Sequence, residues 1–222
     1  AQGLPLGFIN FALPAWLAQN GASAAAVGAV LAMANLPWTF KLAYGVVMDR
    51  YAFLAMGRRR PWIILGQLGM VATLVMMALM NPGVAEVALV TSFAFALGMG
   101  SAVQDVAVDG LAADILPENE IERVNGVMFG GQMAGIAVGT GLGGTLIAYH
   151  SIPVAALALA AILVGILALV VAVREREGER LLPWTTGHAT QRNLDIHLGA
   201  LWPIVRDVFK AMTNRQIMLL ML

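Results

Sequence analysis

The chain has 222 residues, of which 59% are hydrophobic and 12% charged, and its 13 Lys and Arg are balanced by 13 Asp and Glu. A soluble domain is roughly half apolar and about a quarter charged, and burial in a fold of this size is limited by its surface-to-volume ratio. Lipid therefore has to take the excess, while the zero net charge offers nothing to nucleic acid or to an acidic substrate field. The absence of cysteine excludes thiolate metal sites, disulfide frameworks and Cys nucleophiles, and His150, His188 and His197 lie outside any metal-ligand spacing.

A helix needs about 20 apolar residues to cross the ~30 Å hydrocarbon core. Six runs qualify: Gly3 to Ala18, Ala26 to Met48, Pro61 to Met80, Val84 to Ala112, Val124 to Tyr149 and Pro153 to Val173. Breaker residues separate them, at Asn20-Gly21, Asn81-Pro82-Gly83, Pro117-Glu118-Asn119 and Ser151-Ile152-Pro153. The expected fold is an all-α polytopic membrane protein with a six-helix bundle over 1–173. A polar segment over 174–213 follows, with an amphipathic helix near 198–212, in which Leu198, Leu201, Trp202, Val205, Val208, Phe209 and Met212 recur at helical spacing. That helix is expected at the membrane surface or against the bundle, as a packing element. Residues 214–222 read as the opening turns of a seventh span, the first run is short, and no basic region precedes it to suggest a signal peptide. The expectation is a fragment cut inside two membrane segments.

Arg50, Arg58, Arg59, Arg60, Arg123, Arg174, Arg176, Arg180, Arg192, Arg206, Lys210 and Arg215 all fall on one side if the runs alternate, and the loops on the other side hold no Lys or Arg. By the positive-inside rule the loops 49–60, 113–123 and 174–213 are expected to be cytoplasmic.

Charges inside the spans are costly, at about 2.5–3.5 kcal/mol each at a helix centre. Lys41 stands eight residues before Asp49 in the second run, and Asp105 nine before Asp114 in the fourth. At ~1.5 Å per residue both lie ~12–14 Å inside the same boundary, so they can pair. Asp109, Ser101 and Gly98 share the Asp105 face. The functional reading is a central cavity that binds an anionic or zwitterionic solute or relays protons. The alternatives are a neutral pin between two helices, or a Lys41 that snorkels to the interface. In the first run Pro5, Gly7, Asn10 and Pro14 interrupt regular hydrogen bonding, as a lining helix or a plain kink would.

Gly45, Asp49 and Arg50, followed by Gly57, Arg58, Arg59 and Arg60, join the second and third spans. The Asp-Arg pair is expected to cap the helix end, and the arginines to meet headgroups or carboxylates. In the fifth run Gly131, Gly135, Gly139 and Gly143 recur every four residues and predict a face for tight helix contact. Gly139, Gly141 and Gly144 also satisfy a dinucleotide-binding spacing, which is rejected because no strand precedes it.

Together these residues resemble the major facilitator superfamily. The Gly45–Arg60 loop is similar to that family's Gly-x-x-x-Asp-Arg-x-Gly-Arg-Arg signature, with a longer insert from Tyr51 to Met56. That longer form, with Gly3-Leu4-Pro5-Leu6, Phe40-Lys41 and Gln104-Asp105 followed by Asp109, resembles the muropeptide permeases of the AmpG type and their acetyl-CoA transporter relatives. Gly126, Gly135, Gly139, Gly143 and Gly144 also fit the antiporter signature of helix five, with Thr140 in place of its proline.

The resemblance implies the N-terminal half of a twelve-helix secondary transporter in a bacterial inner membrane, working by alternating access on a site between its halves. It implies a gate at Asp49, Arg50 and Arg58–Arg60, and a cavity to which Lys41, Gln104 and Asp105 contribute. The expected partners are the bilayer, a small polar solute such as a muropeptide and the C-terminal half, with no nucleic acid, metal or cofactor. Proton coupling through Asp105 or Asp109 is compatible with this reading. A membrane assembly factor sharing the fold is the rival. An enzyme is not expected, since one Lys and two Asp are the only ionisable groups at depth.

Overall fold

The computed structural model describes residues 1–195 and residue 206, which is helical. The rest of the expected amphipathic helix at 198–212, and the segment 214–222, lie outside the described residues. Every regular element among the described residues is a helix.

The first rod, α1, runs through Gly3–Gly7, a π turn at Phe8–Ala12, and Leu13–Gln19. Pro14 has no N–H for the Asn10 carbonyl. The helix widens there, and the Leu13 N–H bonds the Phe8 carbonyl five residues back. The second, α2, spans Ala24–Arg50. Its N-cap Ser23 accepts from the Ala26 N–H at 3.2 Å. It tightens into a 3-10 turn at Leu36–Phe40, because Pro37 leaves the Met33 carbonyl without a donor. Then come α3, Arg60–Met80, α4, Val87–Ile115, α5, Glu118–Tyr149, and α6, Ile152–Ala172, with a short α7 at Gln191–Asp195. Pro61 and Pro153 sit in the first turns of α3 and α6, where the missing N–H has no intrahelical role. Asn81 ends α3 in the left-handed region, at φ 43°.

Six rods thus match the six expected runs. Four of them, α2, α3, α4 and α6, are long and apolar enough to cross a membrane by length and composition alone. The described part of the first rod, residues 3–19, has fewer residues than these, and glycines dilute the hydropathy of α5.

The rods pair α1 with α5, α2 with α4, and α3 with α6, and α3 also packs along α4. Exchanging the first three rods for the last three turns the α1/α5 pair into the α4/α2 pair and leaves α3/α6 unchanged. The α3/α4 contact has no counterpart of comparable extent between α6 and α1, so the exchange is incomplete. Phe8, Ile9, Leu13, Leu17, Met70, Leu74, Met77, Leu97, Leu159 and Leu163 fill the core between them.

Two of these pairs close to backbone contact. A Cβ on Gly7 would stand 2.2 Å from the Ile136 carbonyl oxygen, one on Gly139 would be 2.0 Å from that of Leu4, and one on Gly98 2.1 Å from that of Ala34. Gly135 and Gly143 abut Gly3 and the Phe8 ring. Nothing stands within 4 Å of the Gly131 Cβ position, although Gly3, at the start of α1, already meets the Gln132 carbonyl next to it.

Gly98→Leu should lower the unfolding temperature of the full-length protein in detergent, since overpacking costs about 1–3 kcal/mol and here meets backbone that cannot yield. An unchanged unfolding temperature would show that α2 and α4 do not meet at backbone distance there.

Candidate functional site

The 3-10 turn of α2 delivers Trp38 and Lys41 to the same side. The Lys41 ammonium lies 5.1 Å from the centroid of the Trp38 ring, a cation–π distance. It bonds Asp105 Oδ2 and approaches Asp109 Oδ2 at 4.0 Å. Gln2 Nε2 donates to the other Asp105 oxygen. The Asp105 side chain is only 9% exposed, whereas Lys41 is 38% and Asp109 58% exposed, so the pair is held from behind and open in front. These groups line a cavity of about 440 Å³ between α2, α4 and α5, with Asn125 and Gln132 on the α5 wall.

A second cavity of about 470 Å³ adjoins it, with Trp38 and Gln132 lining both. Here Asn35 Nδ2 donates to Asn10 Oδ1 at 2.7 Å, and Leu6 and Phe11 supply apolar wall. The two asparagines come from the irregular stretches of α1 and α2, which are broken at one level.

At the basic end, Arg58 and Arg59 each bridge Asp49, at the end of α2, and Asp114, at the end of α4. Their contacts are 3.1 and 3.2 Å for Arg58, and 2.5 and 3.2 Å for Arg59. Gly110 leaves room for Arg59, whose Nε would be 2.8 Å from a Cβ there. Arg60 turns the other way and donates to the carbonyls of Val170, Val171 and Arg180 at 3.3, 2.8 and 3.1 Å. Glu175, just past α6, accepts the backbone N–H groups of Arg58, Arg59 and Arg60, each at 3.0 Å. It therefore caps α3 from outside the helix, where both the free N–H groups and the dipole favour an anion. All three arginines are less than 9% exposed.

The segment after α6 is folded onto this end. Arg180 N–H bonds the Ala55 carbonyl at 2.8 Å, and Arg176 reaches the Asp114 carbonyl at 3.2 Å and the Asn193 side chain. Glu179 accepts from Asn193 Nδ2 at 2.6 Å. Burial, and then the neighbouring Glu175 charge, push the Glu179 carboxyl above its ordinary range.

The sequence profile of the Major Facilitator Superfamily matches residues 2–222. The chain belongs to that superfamily. It is a multi-pass integral membrane protein. Among curated relatives, an uncharacterised protein of Haemophilus influenzae is 32% identical over 120 residues, 54% of this chain and 28% of that protein. The anhydromuropeptide permease of Escherichia coli K12 is 28% identical over 142 residues, 64% of this chain and 28% of the permease. The match thus spans little more than a quarter of either relative. No solved structure matches the chain.

In this facilitator bundle Lys41, Asp105 and Asp109 are brought together, and Asn10 stands in the adjoining cavity. Gln104 goes elsewhere. It precedes Asp105 by one residue, hence by about 100° around the helix, and it packs against Gly66 of α3 rather than facing Lys41. Asp49 is engaged by Arg58 and Arg59 instead of forming a cap with Arg50, which lies 5.3 Å from the centroid of the Tyr51 ring, outside the network. Gly57 is required twice over, by its φ of +103° and by the Glu175 oxygen 2.4 Å from its Cβ position. Gly45 has only an ordinary 4.0 Å contact with Val106.

Gln2, Asn35, Trp38, Asp114 and Glu175 were not singled out from sequence as site residues. Only Asp114 carried a signal, as a carboxylate at a helix end facing an arginine cluster. Glu175→Ala should lower thermal stability by about 1–2 kcal/mol, as loss of a helix cap does, and should speed proteolysis of the segment after α6. Glu175→Gln should recover part of both, because an amide oxygen still accepts.

Proposed function

We propose that this chain is the N-terminal half of a secondary active transporter that moves a polar anionic, zwitterionic or peptide-bearing solute, such as a muropeptide, by alternating access. The membrane is a bacterial cytoplasmic membrane, with the basic end and the segment after α6 on the cytoplasmic side. One observation carries the reading: an ion pair at membrane depth, Lys41 with Asp105, that is left open to a cavity on its Asp109 side. A pair serving only to pin two helices gains nothing from a half-exposed ammonium and a second, mostly exposed carboxylate beside it. Charges are kept at that depth where substrates or protons pass. The permease relative in Escherichia coli supports the solute class.

On this reading Lys41 takes the anionic group of the solute, and Asp105 or Asp109 exchanges the coupling proton. Binding of an anion to Lys41 competes with Asp105, so that protonation of Asp105 frees Lys41 for substrate. The carboxylate–arginine network at the basic end holds one conformation of the cytoplasmic gate, and the C-terminal half closes the cavity.

The experiment is proton-gradient-driven uptake of a labelled anhydromuropeptide by the full-length protein in proteoliposomes. Asp105→Asn and Lys41→Ala should each abolish uptake. Lys41→Ala also leaves a carboxylate at depth without its partner, which costs several kcal/mol where burial is complete, so the double variant Lys41→Ala/Asp105→Asn should regain folded yield without regaining uptake. Full uptake by either single variant at normal expression would sink the proposal. No flux from the folded wild type would leave the facilitator fold in an assembly role.

A further inference from the structure

Beside the charged pair lies a neutral feature that the charge chemistry leaves unused. Asn10 sits in the π turn of α1 and Asn35 at the last regular residue before the 3-10 turn of α2. Each helix is broken by a proline, and the breaks meet beside the second cavity. The asparagines hold one another: Asn35 Nδ2 donates to Asn10 Oδ1 at 2.7 Å and also to the Leu31 carbonyl at 2.8 Å. A carboxamide offers two donor hydrogens and an acceptor oxygen. The Asn35 amino group is thus committed to protein, whereas its oxygen makes no hydrogen bond among the described residues. Asn10 is the reverse, with its oxygen taken and its amino group without a partner among them. The pair thus leaves one acceptor and one donor without a protein partner among the described residues.

We infer that Asn10 and Asn35 form an amide-recognition subsite, reading a peptide or N-acyl group of the transported solute. Asn10 Nδ2 donates to the ligand carbonyl, and Asn35 Oδ1 accepts the ligand N–H. This inference rests on the proposed transport function and deepens it by naming the neutral part of the substrate. Three observations favour an amide over another neutral group. A donor and an acceptor are both left over, and peptide or N-acyl chemistry supplies a carbonyl and an N–H to meet them. The wall beside them is apolar, from Leu6 and Phe11, and suits the flanking carbons of an acyl or peptide unit. Among the described residues, no charged side chain lines this cavity. Trp38 and Gln132 line both cavities, so a solute with a charged group against Lys41 reaches the amide pair from the same bound position. A cavity of about 470 Å³ lies within the usual span for small-molecule sites.

The test measures binding and uptake separately, on the full-length protein. The probes are an anhydromuropeptide and a set of its analogues, each with one amide replaced by an ester, which removes the N–H and keeps the carbonyl. Wild type should bind one analogue about tenfold more weakly than the parent, the effect of one neutral hydrogen bond. Asn35→Ala should erase that gap by weakening the parent alone. Asn10→Ala should weaken the parent about tenfold and the analogue by no more than that, because both keep a carbonyl and the ester's is the poorer acceptor. In both variants KM should rise while kcat holds. The inference is overturned if every ester analogue binds wild type like the parent, or if the gap survives in Asn35→Ala. Amide discrimination in binding without flux would uphold the subsite and remove the transport function. Flux without discrimination would do the opposite, and neither binding nor flux would remove both.

Discussion

Three guanidinium groups buried at one end of an apolar bundle must be neutralised, and the rest of the basic end is arranged around that requirement. An arginine taken out of water is tolerated only where its charge and its donors find partners. Arg58 and Arg59 share the Asp49 and Asp114 carboxylates and so tie the ends of α2, α3 and α4 together. Arg60 satisfies the final carbonyls of α6. Glu175 takes the backbone donors of the same three residues, so one short run of sequence carries its positive charges outward in two directions and its free N–H groups in a third. Any shift of α2 against α4 would have to break guanidinium contacts that bridge the two carboxylates.

The opposite requirement shapes the middle of the bundle. There the backbone must stay hydrogen-bonded in lipid, and departures from the regular helix survive only where protein or a polar cavity meets them. Both breaks among the described spans, the π turn of α1 and the 3-10 turn of α2, border the second cavity. Close packing elsewhere offsets the cost of these breaks. Glycines bring α1 onto α5 and α4 onto α2 at backbone distance, and the van der Waals attraction between the helices replaces the hydrophobic effect that lipid does not supply. The rigid pairs carry the core, and the irregular turns carry the polar groups.

Much of this was legible in the residues. Six rods followed from hydropathy and breaker residues, because the bilayer sets helix length. The Lys41–Asp105 pair followed from counting residues inward from two helix ends on the same side. What failed did so for geometric reasons. Gln104 has the right depth and the wrong azimuth, since one residue turns a helix by about 100°. Glu175 and Gln2 meet their partners across more than a hundred residues, and no local pattern marks such a contact.

The amino-acid sequence by itself determined the solvent, the number of rods, the side on which the basic residues gather and the depth of the buried charges. Each of these depends on composition and on the fixed rise of a helix, which are properties of short stretches of chain. Only the tertiary structure decided which face of each helix meets which neighbour, and therefore that Asn35 holds Asn10, that Glu175 caps α3 and that Gln104 turns away from Lys41. Those outcomes depend on the rotation and approach of whole helices, set by steric contact summed over every pair at once.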